Sequence, residues 1–311
     1  MRAVGVSTFG GPEVLEVVEL PVPEPGEGEV RVAVAAATVN PTDIGLRSGI
    51  WRDGLAPFPP PWVPGMELAG TIDAVGPGAG FELGDEVMAI VSPIRAGGGA
   101  QAEHVVVPAA SVAPIPDGAS LAQAATLPMN GLTVRLALDE LALRPGQALM
   151  VTGAAGAVGG YAIELGKSEG LTVIADAASA DEELVRELGA DVVVPRGEGC
   201  VDAIRDAFPD GVDAVIDAAL VGPAILPAVR DGGGLVAVRA FAGETEREIA
   251  IHEIRVSTYA ANTAALEELG RLAGEGRITL RVADTYPPER AADAHRRLEA
   301  GGVRGRLLIA F

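Results

Sequence analysis

The chain has 311 residues, of which 49% are hydrophobic and 21% charged, and its formal net charge is -20. This length is ample for two domains, and the composition is ordinary for a globular protein. The acidic residues are spread along the chain and would repel a phosphate backbone, which argues against a nucleic-acid partner.

The chain has one cysteine, Cys200, so an intrachain disulfide is excluded. No stretch approaches the ~18 apolar residues that span a bilayer. The N-terminus lacks the apolar run and cleavage site of a signal peptide. We therefore expect a cytoplasmic protein with no membrane partner.

The first part of the chain is predicted to form short strands separated by turns rich in proline and glycine, such as 21–28 and 76–78. The N-terminus begins like a strand. Further strands are predicted at 14–19, 29–36, 68–75, 86–91 and 102–107. Strands at this spacing are typical of a compact, barrel-like β domain.

From about Ser120, apolar strands alternate with helical patterns. This rhythm predicts a parallel, doubly wound sheet with helices on both faces. Strands are predicted at 148–152, 172–175, 192–194, 214–217 and 235–238. Helices are predicted at 121–137, 158–169, 181–188, 201–207 and 223–230.

The C-terminal part changes pattern again. Residues 263–273 are predicted to form a helix with Asn262 as its N-cap. Strands at 281–286 and 305–309 flank a predicted helix at 288–300. A tail of this type could return to complete the first domain.

The predicted strand at 148–152 leads directly into the run Gly153-Ala154-Ala155-Gly156-Ala157-Val158-Gly159. This strand–turn–helix context is the one that a dinucleotide-binding fingerprint requires. Gly156 would let the backbone approach a pyrophosphate, and Gly159 would let the helix pack closely on the sheet. The N–H groups of the helix start would bind the phosphate, so contacts are expected from Ala155, Gly156, Ala157 and Val158. Asp176, at the end of the next strand, could bind the adenosine ribose hydroxyls.

Other segments carry a family resemblance together with this motif. They are 40–49 (NPTDIGLRSG), 64–76 (PGMELAGTIDAVG), 84–87 (GDEV), 127–133 (LPMNGLT) and 302–306 (GVRGR). The chain resembles the medium-chain dehydrogenase/reductase superfamily, and above all its quinone oxidoreductase branch. The resemblance implies an α/β fold in which 1–118 and 260–311 form a GroES-like β-barrel catalytic domain and 119–259 a Rossmann domain. It also implies an active site in the cleft between them, a homodimer, and hydride transfer from a reduced nicotinamide to a small-molecule acceptor.

Zinc can be judged from residue chemistry. Zinc enzymes of this superfamily use Cys and His in the first two segments, where this chain has Asn40 and Met66. Neither is a good zinc ligand, and one cysteine cannot supply a four-cysteine structural site. We therefore expect zinc-independent chemistry, for which reduction of a quinone or a conjugated C=C bond is the natural reaction.

The cofactor is expected to be NADH or NADPH, with a slight preference for NADH. Where NADPH-preferring relatives carry a Lys and a hydroxyl residue, this chain has Asp181 and Ala178. With Asp176 nearby, these acids would repel a 2′-phosphate. Against this, Arg196 and Ser179 could bind that phosphate.

The proton donor is not evident. Relatives place a Tyr in or just after the first segment, where this chain has Gly45 and Trp51, and an indole N–H is not a useful acid. Either a solvent proton would then suffice for the reaction, or the substrate class has shifted. Trp51, with Phe58 and Trp62, could line an aromatic substrate pocket or simply buttress a surface loop.

Asn40 could contact the nicotinamide ribose or the substrate carbonyl, or it could merely cap the helix that follows. Asp43 and Arg47, four residues apart on that helix, are expected to form a surface pair. Thr133 could contact cofactor or be a buried helix hydroxyl. Residues that end the fourth and fifth sheet strands are also candidate cofactor contacts: Ala218, Val238, Arg239 and Ala240.

These observations predict an NAD(P)H-dependent reductase of quinones or α,β-unsaturated carbonyl compounds. A trans-2-enoyl thioester reductase is an alternative, although the missing Tyr and the lack of a basic patch for coenzyme A count against it. The lack of a clear catalytic acid also leaves open a non-catalytic dinucleotide-binding protein.

Overall fold

The computed structural model describes all residues from 1 to 311. The strands are β1 (Arg2–Val6), β2 (Leu15–Glu19), β3 (Glu29–Val39), β4 (Glu67–Val75), β5 (Glu86–Ile90), β6 (His104–Pro108), β7 (Val112–Pro114), β8 (Ala148–Thr152), β9 (Thr172–Ala177), β10 (Val192–Pro195), β11 (Val212–Asp217), β12 (Val229–Ala237), β13 (Ala250–Glu253), β14 (Val282–Tyr286) and β15 (Arg306–Ala310). The α-helices are α1 (Pro41–Arg47), α2 (Arg52–Leu55), α3 (Leu121–Ala124), α4 (Pro128–Leu141), α5 (Ala157–Ser168), α6 (Glu182–Glu187), α7 (Cys200–Ala207), α8 (Thr263–Gly274) and α9 (Ala291–Glu299).

By its internal contacts the chain divides into two compact units. The first consists of Met1–Met129, Ala260–Glu275 and Leu280–Phe311, and the second of Asn130–Tyr259 and Gly276–Thr279. None of the helices has the length and apolar character needed to traverse a lipid bilayer.

The first unit is built around a seven-stranded sheet in which the long strand β3 is central. The strand order is β14-β15-β3-β4-β5-β7, and β6 also pairs with β3. Paired strands run antiparallel except for β14 and β15, which are parallel. Alternate residues of β3 are buried over most of its length, as expected for a strand with one face on a core. Because Leu307 of β15 pairs with Val39 of β3, the C-terminal tail returns to the sheet of the N-terminal strands.

The second unit is a six-stranded parallel sheet with the order β10-β9-β8-β11-β12-β13. Counted along the chain this is the 3-2-1-4-5-6 order of a doubly wound sheet. All five residues of the central strand β8 are buried, as expected for a strand covered on both faces. The predicted fold class, a Rossmann sheet with an additional β domain, is confirmed.

Each unit has its own aliphatic core. In the first, Val32, Leu68 and Val87 lie on neighbouring strands and are completely buried. In the second unit, Met150 of β8 and Val215 of the neighbouring strand β11 are likewise completely buried. Burial of such side chains contributes roughly 1.5–3 kcal/mol each to folding.

The predicted helix at 223–230 is wrong. Gly222–Ala228 form a 3-10 helix instead, and Val229 already begins β12. Pro223 and Pro227 have no backbone N–H, and a proline inside an α-helix clashes with the preceding turn. The local propensity of the other residues could not overcome these two prolines.

Two other differences have equally local causes. The predicted helix at 121–137 is divided into α3 and α4, because Pro128 begins a new helix rather than continuing the first. Strands β7 and β13 were not predicted, because three or four residues are too few to show an alternating pattern. The Asn262 cap is confirmed, since its side-chain oxygen accepts a hydrogen bond from Ala265 N at 3.0 Å.

Candidate functional site

The glycine turn between β8 and α5 is the first feature of the candidate site. Gly153 has φ +63°, a conformation that side chains rarely adopt. A Cβ on Gly159 would lie 2.3 Å from the Gly153 carbonyl oxygen, so the helix can pack here only with glycine. A Cβ on Gly156 would meet only that same oxygen, at 3.1 Å, which leaves the approach to the turn open. The turn thus combines a close helix–sheet contact with a backbone that a phosphate can reach.

Asp176 lies beside this turn at the carboxyl end of β9. Its side chain is almost completely buried, and its Oδ1 accepts a hydrogen bond from Ala154 N at 3.0 Å. Burial raises the pKa of this carboxyl, and the Ala154 N–H and the Arg196 guanidinium act in the opposite direction. The Nε of Arg196 lies 3.9 Å from the Asp176 Oδ2. The predicted ribose acid and the predicted phosphate-binding cation are therefore neighbours.

The other residues expected to choose between NADH and NADPH differ in exposure. Ser179 and Arg196 are exposed, and both flank the ends of β9 and β10. Asp181 is buried at the start of α6, and its backbone N–H donates to the Ala178 carbonyl at 2.8 Å. Of the two acids that argued for NADH, Asp176 contacts the glycine turn through its hydrogen bond from Ala154 N.

Asp217 was not singled out from the sequence, although it ends the strand next to the glycine motif. Its carboxylate is buried and accepts from Thr152 Oγ1 at 2.6 Å, Val221 N at 3.0 Å and Gly222 N at 2.8 Å. Thr152 Oγ1 in turn accepts from Ala219 N at 3.1 Å. An aspartate after a run of buried strand residues was the available signal. These bonds connect the end of β8 to the loop after β11.

The remaining predicted cofactor contacts lie in the same unit but differ in exposure. Ala218 and Val238 are half-buried at the ends of β11 and β12, while Arg239 and Ala240 are exposed. Thr133 is buried in α4. The parallel strands bring Ala218, Val238, Arg239 and Ala240 to one edge of the sheet, and ligands of such folds bind at that edge.

In the first unit, Arg306 and Glu67 form a buried ion pair between β15 and β4. The Glu67 carboxylate also accepts from Thr38 Oγ1 at 2.6 Å and from Met129 N at 2.7 Å. Burial raises the pKa of Glu67, and Arg306 is the main group that opposes this rise. The pair was not predicted from the sequence, although both residues lie in segments that carry the resemblance.

Asn40 belongs to the same buried network. Its Oδ1 accepts a hydrogen bond from Arg306, and its Nδ2 donates to Thr38 Oγ1 at 3.0 Å. The side chain has no exposed surface. The amide is therefore held in one orientation by two strands of the sheet.

The expected surface pair of Asp43 and Arg47 is wrong. Both side chains are buried, because α1 is enclosed by the first unit rather than lying on its surface. Asp43 accepts from Asn40 N at 2.8 Å and Gly65 N at 3.0 Å. Arg47 donates to the Gly10 carbonyl at 2.9 Å and to His295 Nδ1 at 3.2 Å.

Two of these buried groups have strongly shifted pKa values. Burial raises the pKa of Asp43 to about 7, against the backbone N–H groups that favour its charged form. Burial lowers the pKa of His295 to about 3, and the neighbouring Arg47 charge adds to the effect. His295 is therefore neutral and acts as an acceptor, which fits a structural role.

The aromatic residues separate into two groups. The half-buried Trp51 indole packs against Gly45, where an added Cβ would lie 3.2 Å from its ring. Trp62 instead stacks on Phe9, with ring centroids 4.7 Å apart, and its Nε1 donates to the Phe58 carbonyl at 2.8 Å. Trp51 thus fills the space that a side chain at position 45 would occupy.

The residues at the zinc positions of the superfamily do not fit that metal. Asn40 is an amide committed to Arg306 and Thr38, and Met66 is a buried thioether. No group of three or more His, Cys, Asp or Glu side chains is arranged to hold a metal ion. Zinc prefers Cys thiolates, His nitrogens and carboxylates, so this donor set is unsuitable.

Comparisons with known proteins agree with this architecture. Residues 26–117 match the alcohol dehydrogenase GroES-like domain, and residues 188–309 match the family described as zinc-binding dehydrogenase. The quinone oxidoreductase of Rattus norvegicus is 30% identical over 99% of this chain and 97% of its own length. An NADPH-dependent alkenal/one oxidoreductase of Arabidopsis thaliana chloroplasts is 30% identical over 99% of this chain and 79% of its own. A crystal structure of an NAD-dependent alcohol dehydrogenase, 34% identical, superposes with a TM-score of 0.86 and covers 100% of both chains.

The raised pKa of Asp43 predicts a pH-dependent stability. Between about pH 4 and 7 the native protein holds a proton that the unfolded chain has lost, so the contribution of Asp43 to stability falls as the pH rises. Relative to Asp43→Asn, the wild-type free energy of unfolding should decrease across this window, by at most about 1.4 kcal/mol per pH unit. Urea denaturation at a series of pH values measures the difference. The exposed control Asp53→Asn should run parallel to wild type, and a flat difference for Asp43→Asn would contradict the prediction.

Proposed function

Since this chain belongs to the quinone oxidoreductase family of the medium-chain dehydrogenase/reductases, and is an oxidoreductase, we propose that it reduces quinones or α,β-unsaturated carbonyl compounds with NADH or NADPH and without zinc. The observation that carries the proposal is the glycine turn at the carboxyl edge of a 3-2-1-4-5-6 parallel sheet. Relatives named for quinone and alkenal/one reduction support the acceptor class.

The residues of the turn fit a dinucleotide. The space beside Gly156 is open, and the positive end of the α5 dipole points to the same place. The pyrophosphate would be held by the backbone of Ala155, Gly156, Ala157 and Val158. Thr133, Ala218, Val238, Arg239 and Ala240 are the further contacts that we propose.

When bound, the reduced nicotinamide supplies a hydride to the acceptor, and the balancing proton comes from solvent. The protein contributes orientation rather than an acid. Asn40 is fully buried and its amide is bonded to Arg306 and Thr38, so we propose that it holds this part of the site in place rather than touching the acceptor itself. We propose that Trp51 offers its indole face to a planar acceptor.

For the cofactor we propose a slight preference for NADH. Asp176 is held by Ala154 N–H beside the turn, where its charge would accept ribose hydroxyls and repel a 2′-phosphate. Arg196 and Ser179 oppose this preference from the neighbouring loops. Because the Arg196 side chain is exposed and that of Asp176 is buried, solvent screens the charge of Arg196 more strongly, which favours NADH.

The acceptor is tested by turnover. The purified protein should oxidise NADH or NADPH in the presence of 1,4-benzoquinone or methyl vinyl ketone. The rate should be unchanged by 1,10-phenanthroline, because no step needs a metal. Nucleotide binding without turnover of any acceptor would contradict the proposal and favour the non-catalytic alternative. A loss of rate that added zinc restores would contradict its zinc-independent part.

Cofactor preference is tested by fluorescence titration of wild type, Asp176→Ser and Arg196→Gln. Removing the Asp176 charge should strengthen NADPH binding relative to NADH by about tenfold, the effect of one charge–charge contact. Arg196→Gln should weaken NADPH binding more than NADH binding. An unchanged ratio in Asp176→Ser would show that this carboxylate does not select the cofactor.

We also propose that the protein is a homodimer. Strand β13 pairs only with β12 and leaves one edge of the parallel sheet open, which a second copy could cover. Sedimentation equilibrium should give twice the mass of the chain at micromolar concentration. A single-chain mass throughout the range would contradict this.

A further inference from the structure

Arg47, the last residue of α1, has an almost completely buried side chain. Its Nη1 donates to the Gly10 carbonyl at 2.9 Å, and its Nε donates to His295 Nδ1 at 3.2 Å. Its Nη2 donates to the Glu299 carboxylate. A buried cation is costly unless it has such partners. Arg47 therefore joins α1 to the C-terminal helix α9, across 248 residues of sequence.

His295 accepts this hydrogen bond in an unfavourable state of its own. A neutral imidazole that accepts at Nδ1 carries its proton on Nε2. The Nε2 of His295 is buried and has no hydrogen-bond partner, which destabilises the fold. Protonating the ring would not help, because burial and the Arg47 charge lower its pKa to about 3. An unsatisfied group of this kind needs a reason, and the fixed position of Arg47 supplies one.

The backbone on either side of this contact leads towards Trp51. The Arg47 carbonyl accepts from Gly10 N at 2.8 Å, so Gly10 is held by both the main chain and the side chain of Arg47. Two residues after Arg47, a Cβ on Gly49 would lie 2.8 Å from Cγ of Phe9, which precedes Gly10. The start of the turn that carries Trp51 is thus packed against residues that Arg47 fixes.

The turn has no apolar anchor between Arg47 and Trp51. Ser48 is polar, Gly49 has no side chain, and Ile50 is 74% exposed. Burial of an apolar side chain is the usual way to fix a turn, and it is missing from these three residues. The buried group that fixes the turn is therefore Arg47 itself.

We infer that Arg47 is a positioning residue through which helix α9 fixes Trp51, and that this contact sets how tightly the acceptor binds. Only the last step rests on the proposed function, in which Trp51 offers its indole face to the acceptor. Aromatic contacts depend on the distance and angle of the rings, so a displaced indole would bind a planar acceptor less tightly. The guanidinium of Arg47 itself is buried against α9 and has no part in the reaction.

The test compares His295→Leu with His295→Asn. The two new side chains are similar in size, but only asparagine offers an oxygen near the position of Nδ1 to accept from Arg47. Arg47→Lys is a second variant, since an ammonium keeps the charge but lacks the fork of N–H groups that reaches three partners. The matched control is Arg296→Gln on the same helix, whose exposed side chain pairs with Asp293 on the surface.

The first readout is the fluorescence of Trp51. Because the chain has two tryptophans, a Trp62→Phe background makes Trp51 the sole one, and phenylalanine can still stack on Phe9. Acrylamide quenching of Trp51 should increase and its emission should shift to the red in His295→Leu and in Arg47→Lys. Both signals should stay as in the background protein in His295→Asn and in Arg296→Gln.

The second readout is steady-state turnover of 1,4-benzoquinone or methyl vinyl ketone in the otherwise wild-type protein. The KM for the acceptor should rise roughly three- to tenfold in His295→Leu, the effect of losing an aromatic contact. The kcat and the KM for the reduced nicotinamide should not change, which is the pattern of lost uniform binding. A merely structural role would lower kcat through a smaller folded fraction and leave the KM as it is.

Unchanged quenching in both His295→Leu and Arg47→Lys overturns the inference, as do equal effects in His295→Leu and His295→Asn. If His295→Leu does not fold, Arg47→Lys decides in its place. Increased quenching with an unchanged KM overturns the acceptor part. If wild type turns over no acceptor, the proposed function fails, and the quenching series still decides whether α9 holds Trp51.

Discussion

The buried ion pair of Arg306 and Glu67 is the constraint on which the first unit depends. It joins strands that are 239 residues apart in the sequence. Two charges in a nonpolar interior are costly unless each is fully paired, and removal of one partner typically costs about 3–5 kcal/mol. The hydrogen bonds from Thr38 and Met129 N meet this requirement for the Glu67 carboxylate, whereas the buried Nε of Arg306 has no hydrogen-bond partner. The orientation of Asn40 is set by the same guanidinium.

The buried carboxylates of the second unit obtain their hydrogen-bond partners in a different way. The buried carboxylates of its central strands, those of Asp176 and Asp217, come at or next to the carboxyl ends of β9 and β11. Each carboxylate accepts backbone N–H groups from a neighbouring turn instead of pairing with a buried cation. The edge therefore consists of turns that are fixed in position yet retain an accessible backbone. That combination suits recognition of an anion by N–H groups.

The parts of the structure that the sequence predicts well are those with a local signature. The glycine turn, the parallel sheet and the Asn262 cap all follow from patterns within a few residues. Arg306 was noted only as part of a motif, since nothing local indicates a partner as distant as Glu67. The pairing of Asp43 with Arg47 was wrong for the opposite reason: the spacing of four residues suits a surface helix, but α1 is enclosed. Burial is a property of the whole fold, and the exposure of Asp43, Asp181 and Asn40 could not be judged from their neighbours.

The 3-10 helix in the crossover from β11 to β12 has a consequence for how the chain tolerates changes in length. Parallel strands require the connection to return along the whole strand, usually through an α-helix and a dozen or more residues. Here residues 218–228 make the return, and Gly222–Ala228 are a 3-10 helix. Because a 3-10 helix advances about 2.0 Å per residue and an α-helix about 1.5 Å, the tighter winding covers more distance with the same residues. The crossover is therefore already stretched: an added residue has room to be absorbed, whereas a deletion would pull β12 out of register with the strand that carries Asp217.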